Sequence, residues 1–562
     1  MKPPFPKLLR DSGVLPVLAA CVIGLAAGAS ALLLGHGINA LGSWRMELCQ
    51  QYAPILVLPV IGLLGGLLSG LMVWIAPDTS GSGIPQVRAV LNRMNLPLDF
   101  RIAIVKLIGG TIALGSGLFM GREGPTVQVG AAIAGQFSRW FPTSIEQRRH
   151  LIAAGAAAGL AAAFSAPIAG VVFVVEELLK EFKAGAVALA IVACFSASLV
   201  EHVFGHPHKI VLVGEMNQGM TSSLDLLFVI LLALTSGFFG ALFNRGILLF
   251  LRMFKRVNVA KPFKVGFAGL ITGLVVACLP LSLHDYAHTR ALIDAGSLSE
   301  NLVVVVFGAF SFLTLLAYGS GAPGGLFAPA LSIGSALGYI AGTLESHFVS
   351  VAPLHMFALV GMGAFFAAVS RAPLTSIIIV FEMASDFAIV PPLMIACVIA
   401  SAFGEHCYKG GLYDLLMVWN GLHLHRPGTS EESAGALASD FMDTKIEVLQ
   451  SGTSLKDAKE MLDRLKRDGL PVVNKGKLVG VYIGSDRPAD LEEDSAVTVD
   501  SIMVTPPLAI SSQDTAEEIL FLFARYQFSW LPVTDESDKL IGLVWQKDLI
   551  KSVFAEQESD EK

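Results

Sequence analysis

The chain carries an internal duplication. Residues Gly155 to Pro167 (GAAAGLAAAFSAP) align without a gap on Gly361 to Pro373 (GMGAFFAAVSRAP), and each proline precedes a glutamate by nine residues, Glu176 and Glu382. Upstream, Gly121-Arg122-Glu123-Gly124-Pro125 lies 34 residues before Gly155, and Gly325-Leu326-Phe327-Ala328-Pro329 lies 36 before Gly361. Each half therefore carries a G-x-x-x-P helix start at nearly the same place. Duplicated halves with paired broken helices point to a binding site between them, near the middle of a bilayer. Spacing alone does not decide between parallel and inverted copies.

A bilayer is implied by composition. Of 562 residues, 54% are hydrophobic and only 15% charged, which is more apolar than a soluble domain needs. Apolar segments recur at roughly 13–35, 53–76, 102–120, 126–141, 150–176, 184–204, 224–252, 263–283, 301–317, 325–345, 354–381 and 387–404. Several fall short of the ~20 residues that cross a bilayer, and many are broken by Gly or Pro. Broken helices survive at membrane depth only where their loose backbone groups line a water-filled cavity or are buried in protein. A channel or transporter fits that pattern better than a receptor or an anchor. The basic start, Lys2 to Arg10, precedes an apolar run from Val14 to Leu34. With many spans following and no small-residue cleavage signature, it reads as a retained first helix whose basic flank stays in the cytosol. The six cysteines are scattered and suggest neither a disulfide framework nor a metal site.

Charge divides the chain in two. From Pro427 onward there are 26 acidic and 14 basic residues, against 20 acidic and 25 basic before it, so two solvents and two domains are expected. The expected limits are a membrane domain at 1–425 with repeat halves at about 14–220 and 221–420, a polar, turn-rich linker at 426–436, and two modules at 437–496 and 497–556. The tail repeats as well: Asp440 to Met442 is echoed by Asp500 to Met503, Leu470-Pro471-Val472 by Leu531-Pro532-Val533, and Lys477 to Gly480 by Lys539 to Gly542. Each unit alternates short β-rich runs (Leu470 to Val473, Leu478 to Ile483) with amphipathic helical stretches (Leu455 to Leu465, Thr515 to Phe523), an α/β module in duplicate.

Three stretches of the membrane region have the same make-up, and they are Gly81-Ser82-Gly83-Ile84-Pro85, Gly121 to Pro125, and Gly325 to Pro329. Each joins flexible glycine to a helix-starting proline, so each can aim N–H donors and the positive end of a helix dipole at a common point. One alone reads equally as a packing or turn segment; three, two of them at matching repeat positions, mark an anion site. Glu123 sets a carboxylate beside that site, and a charge at membrane depth is kept only where it faces a cavity or serves the function. The partner motif has Phe327 where Glu123 stands, so the carboxylate is not needed to start the helix and reads as a gate. Arg122 reads as a structural counter-charge.

These motifs, with the late Tyr413, resemble the signature of the CLC family of chloride channels and proton/chloride exchangers, in the same order over about residues 14 to 420. The resemblance implies a polytopic α-helical protein of inverted repeats and broken helices, a homodimer with one pore per subunit, in a plasma or bacterial inner membrane with its tail in the cytosol. It implies that the hydroxyls of Ser82 and Tyr413 hold a central chloride, with the backbone at Gly83, Ile84, Leu326 and Phe327 completing the shell, and that Glu123 is the external gating glutamate. Such a shell replaces water around chloride without a full positive charge that would hold the ion too long. Within the family, serine at the position of Ser82 goes with chloride, proline with nitrate and methionine with fluoride. Glu177 matches the internal proton-transfer glutamate of the exchangers, a position that is apolar in the channels. Glu176 has a repeat counterpart in Glu382 and reads as structural, whereas Glu177 aligns with Met383 and breaks the symmetry. Arg88 stands where a subset of the family carries an acid, which leaves the inner end of the proton path open.

The tail resembles a pair of CBS domains. Asp486 and Asp548 keep the ribose-binding position of their nucleotide-binding form, but Ile483 and Trp545 replace its Ser/Thr, so adenine nucleotide is a candidate ligand rather than an expected one. No other cofactor, no metal and no nucleic-acid partner is expected. The leading reading is a proton/chloride exchanger and not an enzyme; the alternative is a gated passive chloride channel regulated by the CBS pair. A cation transporter would want clusters of intramembrane acids. An enzyme using Glu123 and Glu177 as acid and base would want a nucleophile or metal ligands near those carboxylates, and no serine elbow appears in the membrane half.

Overall fold

The computed structural model describes residues 14–562 except 93, 95, 141–144, 206–222, 285–288, 290–292, 294–296, 349–352, 423–436, 466, 485–497, 506, 516–518, 520–521, 524–527, 536 and 550–562. The expected linker at 426–436 and Asp486 lie outside the described residues. The chain forms two compact units, one of Met1–Thr143 with Gln147–Leu424, the other of His425–Lys562 with Ser144–Glu146.

The first unit is helical throughout. Its first half contains α1 (Val14–Gln51), α2 (Pro54–Ile75), α3 (Ile84–Leu91), α4 (Phe100–Gly115), α5 (Glu123–Trp140), α6 (Ile145–Phe164), α7 (Pro167–Phe173), which runs on into a π-helical turn (Val174–Leu179), and α8 (Ala184–Phe204). The second contains α9 (Ser223–Arg256), α10 (Lys261–Ala277), α11 (Glu300–Gly319), α12 (Phe327–Ser346), α13 (Leu354–Ser370), α14 (Pro373–Ala384), α15 (Val390–Cys407) and the short α16 (Leu412–Trp419). Seven of the described helical stretches are long and apolar enough to cross a membrane, and the protein is an integral, multi-pass membrane protein. Helices such as α3, with 8 residues, and α7, with 7, stop well short of a span. The start of α3 and the end of α7 lie among buried groups of the core, as broken helices at membrane depth require.

The two halves meet through contacts that equivalent residues exchange. Gly121 N–H donates to the Gly325 carbonyl at 2.8 Å and Gly325 N–H returns the bond to Gly121 at 2.7 Å. Glu176 accepts from Leu374 N at 3.0 Å, Thr375 N at 2.6 Å and Thr375 Oγ1 at 2.7 Å, at the start of α14. Glu382 accepts from Ile168 N at 3.0 Å and Ala169 N at 2.7 Å, at the start of α7. Each half thus supplies the anion that caps the other's proline-started helix, satisfying first-turn N–H groups that no residue within the helix can reach. The third exchange is between α2 and α10, where Gly62 and Gly269 each lie against the other's carbonyl so closely that neither tolerates a side chain. Exchange of contacts between equivalent positions means a two-fold relation, which is what an inverted pair needs. The reading of Glu176 and Glu382 as a structural pair is the one the structure supports.

The second unit holds two three-stranded sheets of identical plan. In the first, β1 (Leu449–Gln450) pairs parallel with β2 (Gly469–Asn474), and β2 antiparallel with β3 (Lys477–Ile483). In the second, β4 (Ile510–Ser511), β5 (Trp530–Thr534) and β6 (Leu540–Trp545) repeat it. Register irregularities fall at matching places, Val472/Val473 and Val533/Thr534. The leucine, proline and valine of each echoed triplet lie on the central strand, where both faces are covered. The amphipathic helix at Leu455–Leu465 buries Leu455, Ala458 and Leu462 beneath the first sheet. Here, too, the repeats trade segments: Met442 packs on Gly542 of the second, Met503 on Gly480 of the first.

Candidate anion site

The three glycine-rich stretches come together as expected. Gly81 N–H donates to the Ala322 carbonyl at 3.2 Å, and Gly324 N–H donates to Gly81 at 3.1 Å. This ties the Ser82 loop to the approach to α12, while the Gly121–Gly325 pair ties α12 to α5. A Cβ on Gly124 would lie 2.7 Å from the Ser82 carbonyl oxygen and 2.9 Å from Gly325 Cα, so glycine is required there by close approach of three backbones. Gly83 caps α3 in the left-handed region at φ 88°, where other residues are strained. Pro85, Pro125 and Pro329 sit in the first turn of α3, α5 and α12, where their missing N–H costs no helical bond.

Within this junction Ser82 is 1% exposed and Tyr413, on α16, is 1% exposed. Neither the Ser82 Oγ nor the Tyr413 hydroxyl is in a hydrogen bond of good geometry among the described residues, the Tyr318 hydroxyl lying close to Ser82. Two buried hydroxyls left so are costly unless a ligand takes them. The N–H groups of Phe327 and Ala328 open α12 without intrahelical acceptors. Glu123, 4% exposed at the start of α5, reaches across so that Ala328 N donates to its Oε2 at 3.4 Å. The carboxylate lies against the neighbouring helix start. Its repeat counterpart Phe327 is packed instead, its ring centroid 3.9 Å from that of Phe366, 5.3 Å from Phe164 and 6.0 Å from Phe173.

Glu177 lies in the π-helical turn, 3% exposed. The matching stretch of α14 continues as regular α-helix, and π turns in α-helices favour functional positions. Its Oε1 accepts from Arg88 Nη1 at 2.6 Å; Arg88 Nη2 donates to Asp414 Oδ1 at 2.7 Å; and Lys180 Nζ donates to both Asp414 oxygens, at 2.8 and 2.9 Å. Tyr413 is within electrostatic reach of both carboxylates, Glu123 and Glu177. Arg122 donates to the Ala163 carbonyl at 2.7 Å and faces the buried Glu201 of α8, the place of a counter-charge rather than of an anion ligand.

Three participants escaped the sequence reading. Lys106, fully buried on α4, donates to the carbonyls of Thr79 at 2.8 Å and Gly81 at 2.6 Å and so fixes the loop that presents Ser82. A lone lysine inside an apolar segment was its signal. The Tyr318 hydroxyl, at the end of α11, lies against Gly81. Asp414, next to Tyr413, joins the Arg88 network and left no periodicity to find. In the second unit Asp548 is exposed, and the Trp545 ring has Arg467 over it at 4.8 Å and Trp530 beside it at 6.4 Å.

A family model described as voltage gated chloride channel matches residues 65–405. The chain belongs to that family. CBS domain models match 438–482 and 499–555. Among curated relatives, the H(+)/Cl(-) exchange transporter ClcA of Klebsiella pneumoniae is 33% identical over 424 residues, 73% of this chain and 89% of the relative. The ClcA of Vibrio cholerae is 36% identical over 352 residues, 61% of this chain and 75% of the relative. A crystal structure titled as a slow cyanobacterial Cl-/H+ antiporter superposes with a TM-score of 0.67 at 34% identity, covering 73% of this chain and 99% of that one. A eukaryotic CLC transporter at 23% identity shares the fold over 95% of this chain and 97% of that one, with a TM-score of 0.68.

Proposed function

We propose that this member of the voltage-gated chloride channel family is a secondary active transporter that exchanges chloride for protons. The carrying observation is the pair of buried hydroxyls of Ser82 and Tyr413, neither in a hydrogen bond of good geometry among the described residues, with Tyr413 in electrostatic reach of two buried carboxylates, Glu123 and Glu177. Chloride accepts from the two hydroxyls and from the backbone N–H groups of Leu326 and Phe327 at the start of α12, with the Gly83-Ile84 start of α3 alongside. Glu123 is the outer gate: it competes with chloride for the same helix start, and a proton on its carboxyl releases that claim. Glu177 is the inner proton-transfer group. The relatives named as exchangers support antiport over passive conduction.

The active form is a homodimer, with both the N-terminus and the CBS tail in the cytosol. The domain limits are a membrane domain at 1–425, a linker at 426–436, and CBS modules at 437–496 and 497–556. Adenine nucleotide is a weak candidate at the CBS pair, because the bulky Trp545 occupies a position where the nucleotide-binding form has a small hydroxyl residue.

The test is purified protein in liposomes, given a chloride gradient with the membrane potential clamped. Protons should move uphill, driven by chloride, and stop when the chloride gradient is removed. Robust chloride flux with no proton movement would replace the exchanger with a gated chloride channel.

A further inference from the structure

Arg88 is 1% exposed and bonds to both Glu177 and Asp414. It sits on α3, six residues after Ser82. One guanidinium edge holds Glu177 of the π turn at 2.6 Å, and another nitrogen holds Asp414 at 2.7 Å, the residue after Tyr413 on α16. A single planar group therefore spans the three elements that carry Ser82, Tyr413 and Glu177. A guanidinium suits this because its fork of donors is rigid, which a lysine ammonium cannot reproduce. No hydrogen bond joins the Ser82 and Tyr413 hydroxyls themselves, so the separation of the two is set by the elements behind them.

We propose that Arg88 is a positioning residue that holds the Ser82 and Tyr413 helices together across the inner mouth of the anion site and relaxes that hold when Glu177 takes a proton. This rests on the exchanger reading and deepens it. The charged and titratable groups within reach of Glu177 are Arg88 on α3, Asp414 and Tyr413 on α16, and Glu176 and Lys180 beside it. With Glu177 ionised, the two cations Arg88 and Lys180 face three carboxylates, Glu177, Asp414 and Glu176. With Glu177 protonated, Arg88 keeps only its bond to Asp414 at full strength, and the group next to Tyr413 becomes more positive by one charge. The arginine so joins proton arrival from inside to the width of the chloride exit, and it contributes a charge that favours chloride on the adjacent site.

The two contributions separate in a split between turnover and apparent chloride KM. Arg88→Lys keeps the charge and loses the fork; chloride turnover in liposomes should rise about tenfold, the rate equivalent of losing one charge-assisted hydrogen bond, with KM near wild type. Asp414→Asn cuts the link to α16 while leaving Arg88 on Glu177, and turnover should rise by a similar factor. Arg88→Met removes charge and fork together, so turnover rises and KM rises several-fold too. Glu177→Gln mimics the protonated state; it should raise chloride turnover less than Arg88→Lys, and the double variant should match Arg88→Lys alone, a non-additivity expected of groups that act through one contact. Wild-type turnover in both Arg88→Lys and Asp414→Asn, or additive effects of Glu177→Gln and Arg88→Lys, would overturn the assignment. The chloride readout stands apart from proton pumping by the wild type, so failure of the latch and failure of the exchanger reading are told apart.

Discussion

The two halves of the membrane unit use the same plan and differ where the chemistry sits. Glu176 and Glu382 occupy equivalent positions and play equivalent roles, each capping the other half's helix. Glu177, one residue along, faces Met383 in the alignment, and Glu123 faces Phe327. At one broken position the carboxylate reaches a neighbouring helix start; at the other it is held by a buried arginine. Symmetry builds the scaffold, and the proton-handling roles proposed for Glu123 and Glu177 fall where the halves depart from it. A carboxylate in both halves is accounted for by backbone N–H groups, whereas a carboxylate in one half has to be accounted for by function.

That contrast can be broken by experiment. Glu123→Gln should abolish proton transport altogether while chloride flux persists and loses its pH dependence, measured in liposomes with a pH electrode and a chloride electrode together; proton movement in this variant would return Glu123 to the scaffold. Glu177→Ala should also give chloride flux without protons. The paired residues should behave in the opposite way. Glu176→Gln and Glu382→Gln should each leave the proton-to-chloride ratio unchanged and cost about 1.5–3 kcal/mol of stability, the worth of hydrogen bonds to a charged group, read as a lower thermal midpoint of the purified protein. The smallest effect tests the symmetry itself. Thr375 adds a hydroxyl bond to Glu176, and its counterpart Ala169 has none to offer Glu382. Thr375→Ala should therefore cost only about 0.5–1.5 kcal/mol and make the two caps alike.

Much of this was open to reading before the fold was known, because duplication and helix punctuation are written in the residue order. Gly-to-Pro intervals marked the helix starts of α5 and α12, and the gapless match from Gly155 and Gly361 assigned Glu176 to the scaffold. The tail's echoed Leu-Pro-Val triplets marked its central strands. What stayed hidden was pairing at long sequence distance. Arg88, Glu177 and Asp414 lie in three separate segments, and no spacing announces that one guanidinium will join them. Lys106 was visible as a misplaced charge, yet its acceptors are backbone carbonyls, which have no sequence signature. Tyr318 looked like one more aromatic in an apolar helix, and only its hydroxyl against Gly81 sets it apart. Local chemistry is carried by types and intervals; a site assembled from remote segments is carried by the fold.

The exchanged caps also bear on how the protein is made. Glu382 lies 214 positions after the helix start it serves at Ile168, so when the first half leaves the ribosome its α7 start still lacks its anion. The wait ends only once nearly all of the membrane region has been synthesised. Until then the first-turn N–H groups of Ile168 and Ala169 lack the carboxylate that accepts from them. Arrival of the second half closes both helix starts in one docking event. The cap of the early helix is therefore completed by a late-made portion of the chain, and a chain truncated before residue 382 would leave the α7 start without it.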